Sequence, residues 1–164
     1  GITNYVGYAA TGLGALSYNL EGYHMTKVGH QRPDPQIELG QQLRQLGIHS
    51  MNDISDGLGS ELNEIASASN VSIVIEEKAI PLHEETYELA KYLQTNPVDY
   101  ALYGGEDFQL VFTAPKSLLP KLENLAGITI IGEVVSGPAQ VQMVTPDKTI
   151  KTIEAKGYNH FHES

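Results

Sequence analysis

The sequence predicts a layered α/β fold, and three observations carry that prediction. Stretches whose apolar residues recur every three or four positions alternate along the chain with short runs that are β-branched or alternate in polarity. Hydrophobic residues make up 41% of the chain and 16 positions are glycine, a globular composition rather than a disordered one. The 164 residues suffice for one domain with a real core and are few for two. Alternation of helices with strands then packs into layers.

The first element is predicted as a helix through Ala9-Ala10-Thr11-Gly12-Leu13-Gly14-Ala15-Leu16 to Leu20. Its glycines cost helix stability, which points to close packing against another backbone or a ligand, with packing the simpler reading. A polar connector leads to Arg32-Pro33-Asp34-Pro35, where Asp34 as N-cap and Pro35 as first helical residue predict a helix start. Leu39, Leu43 and Leu46 follow at helical spacing and Gly47 supplies a stop. Met51 to Ser55 reads as a short strand, and Leu58, Leu62, Ile65 and Ala66 as the buried stripe of the next helix. Ser72 to Glu76 is a second strand, and Leu82 to Leu93 a helix broken near Asn96-Pro97. Phe108, Leu110 and Phe112 alternate as in a strand, Leu118, Leu119, Leu122 and Leu125 form a helical stripe, and Thr129 to Val135 is a strand. Val141 to Ile153 reads as a hairpin around Pro146-Asp147-Lys148.

Composition narrows the chemistry. No cysteine is present, which excludes disulfides and thiolate metal sites. The formal charge of −10 repels nucleic-acid phosphates, so a DNA or RNA partner is not expected. No apolar run is long enough to span a bilayer, and a soluble cytoplasmic protein with no membrane partner is the expectation. The six histidines make no metal site, and there is neither a G-x-S-x-G elbow nor a G-x-x-x-x-G-K-[ST] loop.

Two acidic turns remain. Asp53-Ile54-Ser55-Asp56-Gly57 sets two carboxylates three residues apart, with a hydroxyl between them, where a strand passes into a helix. Carboxylates there can hold magnesium, and helix-start N–H groups can receive a phosphate that Gly57 and Gly59 would let approach. The plainer alternative is that Ser55 or Asp56 only caps the helix. Gly104-Gly105-Glu106-Asp107 precedes a strand; taken alone it is a turn, and its functional reading gives Glu106 a hydrogen bond to a polar ligand.

Four segments together resemble the thiamine-monophosphate kinases. Arg32-Pro33-Asp34-Pro35-Gln36-Ile37-Glu38-Leu39-Gly40 is similar to that family's R-P-x-P-R-x-x-x-G. Asp53-Ile54-Ser55-Asp56-Gly57-Leu58 resembles its D-[IV]-S-D-G-L, and Ala101-Leu102-Tyr103-Gly104-Gly105-Glu106-Asp107-Phe108 its A-L-x-G-G-E-D-[YF]. Gly157-Tyr158-Asn159-His160-Phe161 matches the G-[YWF]-x-H-F ending, and all four fall in family order. Two departures stand out: Ala9-Ala10-Thr11-Gly12 replaces a glycine-aspartate-serine pattern, and Gln109 stands where a glutamate is frequent.

The resemblance implies the aminoimidazole-ribonucleotide synthetase superfamily and an α/β (α+β) layered sandwich with a mixed sheet. On it, residues 1–164 correspond to a single C-terminal domain, without the N-terminal domain that binds ATP and dimerises. The implied reaction is ATP-dependent phosphorylation of thiamine phosphate to thiamine diphosphate with Mg²⁺, in a homodimer when complete; the isolated chain is expected to be inactive. Carried over by motif, Asp53 and Asp56 would ligate magnesium, Ser55 would contact ATP, and Glu106 and Tyr158 would contact thiamine phosphate. A sister ATP-dependent synthetase and a non-catalytic ligand-binding domain are the alternatives.

Overall fold

The computed structural model describes residues 1–48 and 50–155, and within them the strands build two four-stranded sheets. The first sheet runs β2 (Ser50–Asp53), β4 (Leu110–Thr113), β1 (Ile2–Thr3), β5 (Ile128–Thr129), with every neighbouring pair antiparallel. The second runs β6 (Gly132–Val135), β3 (Ser72–Glu76), β7 (Gln140–Val144), β8 (Ile150–Ile153). Its central β3–β7 pair is parallel and the outer pairs are antiparallel, so this is the mixed sheet. The layered α/β sandwich is therefore as expected, with the strands divided between two sheets.

Adjacent residues of β4 explain how the first sheet is held. Val111 belongs to the main core with Ile54, Leu58, Leu62, Ile75, Leu102 and Met143, whereas Phe112 belongs to a smaller core with Leu43, Ile48 and Leu122. Successive strand side chains point to opposite faces, so this sheet is buried on both. The smaller core is closed by α3 (Ile37–Gln45) and α7 (Leu119–Leu122). Helix α4 (Leu58–Ser69) buries the predicted stripe of Leu58, Leu62, Ile65 and Ala66, and at its start also Gly59, Ser60 and Glu61.

Several boundaries differ from the sequence reading for physical reasons. The segment Thr129 to Val135 is two strands, because the chain leaves the first sheet at Ile130-Ile131 and enters the second at Gly132. The Leu118–Leu125 stripe is helical only as a 3-10 turn over 116–118 and α7, although Leu118 and Leu125 do pack in the smaller core. Asp34 and Pro35 do not start α3. The helix begins at Ile37, and Gln36 turns its Nε2 back to donate to the Asp34 carbonyl. Beyond α5 (Glu84–Leu93), the break at Asn96-Pro97 is a new helix start: Asn96 Oδ1 accepts from Val98 N and caps α6 (Pro97–Tyr103).

The polar connector contains a helix, α2 (His24–Gln31), that buries only Thr26 and so lacks a core-facing stripe. Contacts from distant residues support it. Glu85 on α5 accepts from Thr26 N at 2.8 Å, Thr26 Oγ1 at 2.7 Å and Met25 N at 3.3 Å, capping its first turn. Helix α1 (Tyr8–Ser17) lies against it so closely that a Cβ on Gly12 would stand 2.1 Å from the Thr26 carbonyl oxygen. Close helix packing, not a ligand, accounts for that glycine.

Candidate active site

The two acidic turns are one structure. In the antiparallel β2–β4 ladder Asp53 lies opposite Leu110. Beyond the strand ends the pairing continues through Ile54 N to Gln109 O (2.7 Å), Phe108 N to Ile54 O (3.1 Å) and Glu106 N to Ser55 O (2.8 Å). Residues 53–56 are thereby threaded against residues 105–109. Ser55, Asp56, Gly105, Glu106 and Phe108 line a cleft of about 220 Å³, closed on its other side by Ala10 and Leu13 of α1 and His30 of α2. A larger cavity of about 490 Å³ lies between β3, β4 and β6, and among the described residues no predicted site residue lines it. The chemistry-bearing groups converge on the smaller cleft.

The glycines serve this nesting. Gly57 has φ +96°, and a Cβ there would meet the Leu102 carbonyl oxygen at 2.7 Å and that of Gly104 at 3.0 Å. At Gly105 a Cβ would stand 2.4 Å from the Ser55 carbonyl oxygen. Gly59 likewise abuts Leu102 and Ile153. The expected approach of a phosphate chain past Gly57 and Gly59 is thus corrected: the chain's own backbone fills that space. Nor do Ser55 or Asp56 cap α4, whose N-cap is Gly57 with no side-chain hydrogen bond. Their side chains are released from the capping role that competed with a functional one.

Asp53 and Asp56 are exposed, Ser55 is half-buried, and the Ser55 hydroxyl donates to Asp53 Oδ2. Asp53 does not itself line the cleft but is joined to it by this bond. Behind the turn sits Glu61, 4% exposed, which accepts from Asn52 Nδ2 and from Asp56 N at 3.3 Å. Asn52 also donates to Glu64 at 3.1 Å. Burial raises the Glu61 pKa above the usual carboxylate range, and the charges of Glu64, Asp53 and Asp56 add to the rise while the Asp56 amide opposes it. Among the described residues no group of three or more histidine, aspartate or glutamate side chains is placed to hold a metal.

Glu106 is exposed and Asp107 beside it is not. Asp107 Oδ2 accepts from Gly7 N at 2.6 Å and Oδ1 from Ala9 N at 2.9 Å, at the start of α1. Burial pushes its carboxyl up to about 6, against the backbone amides of Ala9, Gly7 and Tyr8 that pull it down. Gln109 takes hydrogen bonds on Oε1 from Thr3 Oγ1 (2.9 Å) and Asn4 Nδ2 (3.1 Å), tying the same turn to β1. Tyr158 lies outside the described residues. Sequence reasoning missed Asp107, Glu61, His30 and Phe108. For Glu61 a signal existed, a glutamate in the first turn of α4 able to reach back to the preceding amides; for His30 none did, its helix being unrecognised.

A family model for the AIR synthase related protein, C-terminal domain, matches residues 8–144, which span both acidic turns. The chain belongs to this family. Two curated relatives of this AIR synthase related domain are thiamine-monophosphate kinases. That of Bacillus subtilis (strain 168) is 39% identical over 137 residues, covering 80% of this chain and 41% of the relative. That of Aquifex aeolicus (strain VF5) is 34% identical over 164 residues, covering 98% and 50%. Among solved structures, AaThiL complexed with AMPPCP and TMP superposes with a TM-score of 0.78 at 33% identity, covering 98% of this chain and 50% of that one. This AIR synthase related domain thus spans half or less of the length of these two curated relatives.

Proposed function

We propose that this chain is the C-terminal domain of a thiamine-monophosphate kinase, supplying part of the site that transfers the γ-phosphoryl group of ATP to thiamine phosphate. The observation that carries the reading is the convergence of Ser55, Asp56 and Glu106 on one cleft, through turns held together by backbone hydrogen bonds. The kinase relatives and the solved complex with a non-transferable ATP analogue support it.

The reaction forms a bond from an oxygen of thiamine phosphate to the γ-phosphorus and breaks the bond from that phosphorus to the β,γ-bridging oxygen, releasing ADP. The acceptor phosphate has a second pKa near ~6 and is largely ionised at neutral pH. It needs no general base, and none of the side chains here is assigned that task. What the protein must supply is alignment and relief of anion–anion repulsion. Asp53 and Asp56 present exposed carboxylates, hard oxygen donors of the kind magnesium takes; one or two of them plus substrate phosphates are a common complement for that ion. Held there, magnesium would neutralise charge on the phosphates. The Ser55 hydroxyl, freed from Asp53 when that carboxylate is engaged, donates to an ATP phosphate oxygen. Glu106 offers a negative charge to the cationic, amine-bearing rings of thiamine phosphate, and Tyr158 would complete that subsite by stacking. Homodimerisation, an N-terminal domain carrying the rest of the nucleotide site, and a cytoplasmic setting complete the reading.

The test is a coupled assay of the complete enzyme with thiamine phosphate, ATP and magnesium. Asp53→Asn and Asp56→Asn are each expected to lower kcat by about 10²-fold, the loss typical for one electrostatic group aimed at transferring phosphate. Wild-type turnover in both variants would remove the proposed role. The 164-residue chain alone is expected to show no turnover.

A further inference from the structure

We infer that Asp107 is a positioning residue of the thiamine phosphate subsite, a strut whose carboxylate fixes Glu106 and Phe108 on one wall of the cleft relative to α1 on the other. The inference rests on the reading of the cleft given above and names a residue that reading does not use. Three consecutive residues divide the work. Glu106 (φ +65°) and Phe108 (φ +51°) both adopt the left-handed region, which non-glycine residues visit rarely, and both line the cleft. Asp107 between them is turned the other way, 4% exposed, with both oxygens engaged by the first amides of α1.

A turn with two residues in that region persists only when its surroundings hold it. On one side the hold comes from the backbone bonds of Glu106 and Phe108 to Ser55 and Ile54. On the α1 side it comes from the Asp107 carboxylate, which stands in for a side-chain cap, the N-cap of α1 being Gly7. Helix α1 also delivers Ala10 and Leu13 to the facing wall and carries α2, with His30, packed at Gly12. One carboxylate therefore ties the two walls of the cleft to each other across 100 positions of sequence.

The experiment uses the complete enzyme with Glu106→Gln, Asp107→Asn and the double variant. Asp107→Asn keeps the shape but sets an NH₂ against a backbone N–H. It is expected to raise KM for thiamine phosphate about tenfold while KM for ATP moves less than about threefold. Because Asp107 acts through Glu106, the double variant is expected to match Glu106→Gln rather than multiply the two losses. An unchanged KM for thiamine phosphate in Asp107→Asn, equal rises for both substrates, or multiplying losses would overturn the inference. Should Asp107→Asn fail to fold, amide exchange in the wild type decides. Saturating thiamine phosphate is expected to slow exchange at Gly7, Tyr8 and Ala9 by about threefold or more, and no slowing there overturns the inference. If Glu106→Gln itself keeps the wild-type KM for thiamine phosphate, the substrate assignment of the cleft fails and the inference falls with it.

Discussion

Replacing Gly57 by alanine tests whether the two acidic turns are locked backbone to backbone. Two costs can be worked from the structure. At φ +96° and ψ 151° the residue occupies a region open essentially only to glycine, and holding an L-residue there costs about 1–3 kcal/mol. The added Cβ would also stand 2.7 Å from the Leu102 carbonyl oxygen and 3.1 Å from its carbon, with the Gly104 oxygen at 3.0 Å. These are backbone atoms, which cannot rotate away, so overpacking adds about 1–3 kcal/mol. The sum of roughly 2–6 kcal/mol is a large share of the ~5–15 kcal/mol that holds a domain together. Gly47 supplies the control: at φ +90° an added Cβ would meet no atom of the described residues within 4 Å, so among them Gly47→Ala carries the conformational cost alone. The chain has nine tyrosines and no tryptophan, so urea titration is best followed by far-UV circular dichroism with tyrosine fluorescence alongside. Gly57→Ala should lose about 1–3 kcal/mol more than Gly47→Ala at unchanged m. Equal losses would mean that the turns have room between them, and the argument that glycine is there for the chain's own backbone would fail.

Two further outcomes follow from burial. Asp107 holds its proton more tightly when folded, with a value of about 6 against 3.8, so between those values the folded state binds more protons than the unfolded one. Its contribution is fully present below pH 3.8 and is lost as pH rises through about 6, a change of about 3 kcal/mol. Measured from about pH 4 to 7, wild-type stability should therefore fall by about that much relative to Asp107→Asn, and parallel profiles for the two proteins would contradict it. Ile54 is 0% exposed between Asp53 and Ser55, so Ile54→Ala should cost about 2–5 kcal/mol. At about 2–4 °C per kcal/mol that is a Tm lower by roughly 4–20 °C, and a shift under about 1 °C would show that the site does not stand on the core.

Local pattern carried the elements whose burial is one-sided or complete. Ser72 to Glu76 is read from sequence with the bounds it has, because Ile73, Val74 and Ile75 are β-branched and flanked by polar ends. The α4 stripe is legible for the same reason: four apolar residues at helical spacing face the main core. Elements held by remote residues were not legible. Helix α2 depends on Glu85 and on Gly12, and nothing in residues 24–31 encodes either. The split at Ile130-Ile131 is invisible because both residues suit a strand, and only the existence of two sheets makes them a crossing. In the site, the carboxylates Asp53, Asp56 and Glu106 were readable as exposed acids in turns. That Asp107 is the opposite kind of acid follows only from the α1 amides, 98 to 100 positions away.

That contrast within a single motif explains how the two acidic segments work. In Asp53-Ile54-Ser55-Asp56-Gly57-Leu58 the first, third and fourth residues are exposed or half-buried, while Ile54, Gly57 and Leu58 are buried. In Gly104-Gly105-Glu106-Asp107 only Glu106 is fully exposed, and Gly104 and Asp107 are buried. Each motif therefore interleaves a chemical set with a structural set. The structural set binds the two turns to each other and to α1; the chemical set is thereby presented on a backbone that has no freedom to drift. Exchange of Asp53, Ser55, Asp56 or Glu106 should then change what the cleft binds with little loss of fold, whereas exchange of Ile54, Gly57 or Asp107 should damage both at once. The chemistry is separable from the scaffold in one direction only.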